Sequence, residues 1–124
     1  MKTILIADDE ECLRMLVETT LERPGLRVLH AADGNWAVDL ARREHPDLIL
    51  LDWMMPGKTG IDVAEMLRSE PATADIAMLM LTAMDSEQGR QRGRALGIQE
   101  YLLKPFSPLQ LLGCVQRVLG ESRP

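Results

Sequence analysis

The 124-residue chain has no long apolar run, no excess of positive charge and only two cysteines, and each shortage narrows what it can be. Its first apolar stretch, residues 3–7, is cut off by four consecutive acids, Asp8, Asp9, Glu10 and Glu11, and is too short for a signal peptide or a membrane span. A cytoplasmic location with no membrane partner is the expectation. Fourteen Lys and Arg against 19 Asp and Glu leave a formal charge of −5 and a pI near 5.0, so no overall positive field draws the chain to phosphate backbones. Nucleic acid is therefore not expected as a direct partner. Cys12 and Cys114 fall in no CxxC or Cys/His metal spacing and read as buried, reduced thiols. His30 and His45 stand at no ligand spacing either. Low-complexity tracts are missing, and 46% apolar with 27% charged residues describes a folded domain rather than a disordered one.

What is present suffices for one core and no second domain, so residues 1–124 are read as a single unit. Short β-rich apolar runs alternate with helical periodicity along the whole chain, the pattern of βα units feeding a parallel sheet. The strands are expected at 2–7, 26–31, 47–51, 76–81 and 99–103, and three of these runs are nearly unbroken, as strands covered on both faces should be. The fold class is thus α/β, a doubly wound five-stranded parallel sheet. The first helix places Leu13, Leu16, Val17, Thr20 and Leu21 on one stripe; the second opens at Asp33 and turns Trp36, Ala37, Leu40 and Ala41 inward. Helices at 60–69, 85–96 and 108–119 complete the set. The fourth contains Gly89 and Gly93, each costing about 1 kcal/mol against alanine, and is expected to be the least stable, loose enough to move.

Ligands in such sheets bind at the carboxyl ends of the strands. Asp8 and Asp9, Asp52, Thr82 and Lys104 all fall at or just past strand ends, on one rim. Singly, each has an ordinary structural reading: an acidic first turn, a turn residue before Pro56 and Gly57, a cap, a solvated charge. Together they do not. If the first and third strands are neighbours, three carboxylates converge and repel, and a divalent cation relieves the strain. All-oxygen ligands without His or Cys select a hard ion, and Mg²⁺ suits a site that also accepts phosphate. A carboxylate beside such an ion, with a hydroxyl and an ammonium opposite, is equipped to attack phosphorus and stabilise the charge in transit; Asp52 is the candidate nucleophile.

ILIADDE at 4–10, LILLDWMMPGKTG at 48–60, LMLTA at 79–83 and YLLKPF at 101–106 occur in that order, and over essentially its whole length the chain resembles the receiver domains of two-component response regulators. The resemblance implies strand order 2-1-3-4-5, with Asp52 as phosphoacceptor, Asp8, Asp9, Asp52 and the Met54 backbone carbonyl around Mg²⁺, and Lys104 on the phosphoryl group after a cis Lys104–Pro105 bond. It further implies a phosphorylation-dependent switch rather than an enzyme, one that assists its own phosphoryl transfer and dephosphorylation. Thr82 and Tyr101 would switch, and the face of the fourth helix, fifth strand and fifth helix would be read by a partner or a fused output domain. The phosphodonor would be a histidine kinase or a histidine phosphotransfer protein. Met54 and Met84 match the positions flanking the attacking water; both are apolar here, so slow self-dephosphorylation is expected.

The chain departs from the usual receiver pattern at Lys58, Thr59 and Ala77, and Ile98-Gln99 alters the readout face. Trp53 reads either as a shield over the site or as an anchor for the phosphodonor, Tyr101 otherwise as a packed strand aromatic, Met78 and Met80 as core, and Arg90, Arg92 and Arg94 as a solvated face. A Mg²⁺-dependent phosphatase of the haloacid dehalogenase type also uses a strand-end aspartate, but needs a second acid where this chain has Met54. A flavin binder would need a phosphate cradle where Asp8 to Glu11 would repel one. Residues 120–124 read as a natural tail or the start of a linker, any output domain lying beyond them or in another polypeptide.

Overall fold

The computed structural model describes residues 1–83, 86–98 and 100–120. Five βα units follow one another: β1 (Lys2–Ala7), α1 (Glu11–Leu21), β2 (Leu26–Ala31), α2 (Gly34–Glu44), β3 (Leu48–Asp52), α3 (Gly60–Arg68), β4 (Ala77–Thr82), α4 (Glu87–Ala95), β5 (Glu100–Leu103) and α5 (Pro108–Val118). The strands form one parallel sheet in the order β2-β1-β3-β4-β5, the order expected.

Alternation along the strands divides the core in two, because successive side chains point to opposite faces. Leu5, Ile49, Leu51, Met78 and Met80 meet the buried residues of α2 and α3. Ile4, Ile6, Leu48, Leu50, Leu79 and Leu81 meet Val17 and Leu21 of α1 and Leu111, Cys114 and Val115 of α5. Both faces being covered, β3 is buried from end to end, which is why its sequence shows no polar alternation.

Two strands are shifted by one residue from the apolar runs that announce them. Asp47 stays outside β3, its carboxylate accepting from the Thr3 N–H at 2.8 Å, while the ladder continues through Asp52, opposite Leu81. Ile76 stays outside β4, which ends on Thr82, opposite Leu103. Asp52 and Thr82 are therefore the last strand residues, not the first loop residues, and inherit the rigidity of the sheet.

Three expectations about burial fail. Leu16 and Trp36 are each 56% exposed. Val17 and Leu21 carry the inner stripe of α1, and Gly34, Ala37, Val38 and Ala41 that of α2, so Leu16 stands at the margin of its helix face and Trp36 on the far side of its own. Cys12, in the first turn of α1, is exposed; only Cys114 is buried. The remaining helix ends follow their caps: Asp33, Thr59, Ser86 and Ser107 each accept a backbone N–H at the start of α2, α3, α4 and α5. The expected helix start at Asp85, and Met84, Gln99 and 121–124, lie outside the described residues.

Candidate functional site

The adjacency of β1 and β3 places the end of one beside the end of the other, with Ala7 opposite Leu51. Asp8 and Asp9 follow directly, and carboxylate oxygens of Asp8, Asp9 and Asp52 all lie within 4.8 Å of one another. Asp8 is fully buried and Asp52 is 6% exposed. Lys104 crosses from the end of β5, its Nζ 2.8 Å from Asp8 Oδ2, 3.3 Å from Asp52 Oδ2 and 3.6 Å from Glu10 Oε1. Its backbone N–H donates to the Thr82 carbonyl at 2.9 Å, and the Lys104–Pro105 peptide is cis, as the resemblance implies.

Charge in the cluster is not balanced. Burial and then the neighbouring Asp8 push the Asp52 carboxyl above its usual range, more than Lys104 and the Met54 N–H pull it down. Burial works against the Lys104 ammonium, but the Asp8 and Asp52 carboxylates outweigh it and hold the group above the ordinary lysine value. One ammonium thus serves three clustered carboxylates, and an all-oxygen donor set with that surplus negative charge can hold a hard divalent cation.

Around the cluster, Asp9, Glu10, Asp52, Met54, Thr82, Ala83 and Lys104 line an open depression of about 450 Å³. Thr82 is buried at its floor, and Met54 is 58% exposed at its rim. A larger depression, about 580 Å³, lies at the opposite end of β4 among Arg68, Asp75, Gly97, Glu100 and Arg117. It lacks comparable chemistry: Arg68 donates to the carbonyls of Ala74, Ile76 and Leu96, and Arg117 pairs with Glu100. Size does not mark the site here; clustered charge does.

The sheet's loops are held close. Gly60 opens α3 against β3, where a Cβ would stand 2.4 Å from the Asp52 carbonyl oxygen, so any other residue would push the helix off the strand end. Sequence reasoning brought together Asp8, Asp9, Asp52, Thr82 and Lys104, and all five are here. Tyr101 and Trp53 are not: both are half-buried and lie against α4. Met84 lies outside the described residues. Missed altogether was Arg14, whose Nη1 donates to the Asp8 carbonyl at 2.6 Å and whose Nε donates to His30 Nδ1 at 3.3 Å, with His30 Nε2 in turn 2.5 Å from Glu18. No local pattern announces it, because its partners lie just past β1 and in β2, outside its own helix.

The family model for the response regulator receiver domain matches residues 4–116. The phosphate regulon transcriptional regulatory protein PhoB of Pseudomonas aeruginosa is 41% identical over 123 residues, which cover 99% of this chain and 54% of the relative. The alkaline phosphatase synthesis transcriptional regulatory protein PhoP of Bacillus subtilis is 43% identical over 121 residues, 98% of this chain and 50% of the relative. The chain thus spans about half the length of these curated relatives. Among solved structures, the chemotaxis protein CheY4 of Vibrio cholerae aligns with a TM-score of 0.87 at 36% identity, covering 95% of this chain and 98% of that one. Nothing among these matches favours the phosphatase alternative, whose second acid is absent at Met54.

Proposed function

The chain belongs to the response regulator receiver domain family, and on that premise we propose that Asp52 accepts a phosphoryl group from the phosphohistidine of a histidine kinase or a histidine phosphotransfer protein, in the cytoplasm. An Asp52 carboxylate oxygen attacks phosphorus in line, an acyl phosphate bond forms, and the phosphorus–nitrogen bond breaks as the imidazole leaves with the electron pair. Lys104, already between Asp8 and Asp52, takes one phosphoryl oxygen, and the Thr82 hydroxyl takes another. Asp8, Asp9, Asp52 and the Met54 carbonyl are the residues that would hold Mg²⁺, which when bound neutralises charge on the transferring oxygens.

The observation that carries this reading is the meeting of Asp8, Asp9 and Asp52 within 4.8 Å, with Lys104 bridging Asp8 and Asp52. Intact-mass measurement after exposure to a small acyl phosphate and Mg²⁺ tests it. Wild type should gain a phosphoryl adduct and Asp52→Asn should not; an adduct on the variant removes Asp52 from the role. The added charge shifts a two-state packing involving Thr82 and Tyr101, and the face of α4, β5 and α5 is read by a downstream protein or fused output domain. Met54 is apolar at the rim of the site, and in sequence the second position that the family sets beside the attacking water, residue 84, is also a methionine, so neither side chain offers that water a hydrogen bond and the phosphoryl group is long-lived. Met54→Asn should shorten its lifetime about tenfold, the worth of one hydrogen bond to that water in the transition state, read as decay of the adduct by mass.

A further inference from the structure

Of the nine residues of α4, only Gly89 and Gly93 are buried. They lie one turn apart on the face turned to the sheet, and each sits against an aromatic ring. A methyl group on Gly89 would stand 2.8 Å from Trp53 Cη2 and 2.9 Å from both Trp53 Cζ3 and the Ser86 hydroxyl. One on Gly93 would stand 2.0 Å from Tyr101 Oη. The Tyr101 hydroxyl donates to the Gly89 carbonyl at 2.8 Å, and the Arg90 guanidinium lies 5.5 Å from the Tyr101 ring centre. The missing side chains are therefore room for rings, and looseness is not their main effect.

The two rings reach α4 from different places. Tyr101 comes from β5. Trp53 is the residue after Asp52, and its backbone is pinned where its carbonyl accepts the Gly60 N–H at 2.8 Å, at the start of α3. We propose that Trp53 is a positioning residue for α4: its indole, seated in the notch at Gly89, keys the helix to the segment carrying Asp52 by a route separate from Thr82 and Tyr101. The consequence for signalling rests on the receiver reading above. Charge that displaces the Asp52–Trp53 segment moves the surface on which α4 is seated, so the helix follows.

A double-variant cycle on the whole chain tests the keying. Gly89→Ala should lower the urea midpoint in the wild-type background, and this loss should shrink or reverse in Trp53→Ala, where the methyl group meets no indole and helix propensity favours alanine. Should Trp53→Ala not fold, Trp53→Leu serves in its place. Equal or larger losses in both backgrounds overturn the proposal. Hydrogen exchange gives the positional readout: in Trp53→Ala, amides of 87–95 should exchange several-fold faster while those of 60–68 keep their rates, and parallel acceleration of both helices overturns it. After phosphodonor and Mg²⁺, wild type should change exchange across 87–95, and Trp53→Ala should respond less at equal adduct by mass; an equal response overturns the route. If no adduct forms even in wild type, the Asp52 assignment fails, and the cycle still decides the keying.

Discussion

Helix α3 runs nine residues behind a threonine cap and α4 runs nine residues behind a serine cap, yet α3 buries Ile61, Val63, Ala64 and Leu67, whereas α4 buries only two glycines. Each fully buried aliphatic side chain stabilises its attachment by roughly 1.5–3 kcal/mol, so α3 is anchored by its own residues. Helix α4 brings no such anchor. It is held by its cap, by the rings of Trp53 and Tyr101, and by the exposed pair of Arg92 with Glu65 of α3. The helix that forms part of the proposed output face is thus the one whose attachment is cheapest to rearrange, while the one that backs Asp52 is fixed.

The contrast breaks first at Leu67. Replacing this fully buried side chain with alanine should cost about 2–5 kcal/mol of global stability, measured by urea unfolding, and no side-chain truncation on α4 should approach that, since its only buried residues are glycines. Native-state hydrogen exchange should next separate the helices directly, with amides of 87–95 exchanging at least about tenfold faster than those of 60–68. Equal protection would mean that the rings anchor α4 as firmly as leucine anchors α3. The caps sharpen the comparison further. Thr59→Ala removes a capping box on α3 and should lower global stability by about 1 kcal/mol; Ser86→Ala should appear mainly as faster local exchange in α4, since a helix that opens before the domain does adds little to global unfolding. Smallest of all, Arg94→Ala should stay within about 0.5 kcal/mol in the same unfolding assay, as exposed pairs do.

Much of the site was legible because its residues follow recognisable runs. Asp8, Asp52, Thr82 and Lys104 each sit where an apolar strand gives way to polar residues, and a parallel sheet puts such points on one rim. The one-residue shift that makes Asp52 and Thr82 strand residues was not legible, since the ladder is extended by the neighbouring strand's hydrogen bonds and not by hydrophobicity. Leu16 and Trp36 misled for a related reason: an apolar residue near a helical stripe looks like part of it until the angle to the sheet is known. Gly89 and Gly93 read locally as weak points in a helix, and only the rings of Trp53 and Tyr101 explain why nothing larger stands there.

Periodicity along the chain determined the five βα units and the polar strand ends, because the repeat of apolar residues records which side of an element is hidden from water. It carries no record of what hides it. Tertiary structure alone decided that Asp8 lies beside Asp52, that burial and mutual repulsion raise the Asp52 carboxyl, that Arg14 reaches the Asp8 carbonyl, and that an indole occupies the notch in α4. Each of these depends on distances between segments far apart in sequence, which the packing of helices across the sheet sets and no local pattern encodes.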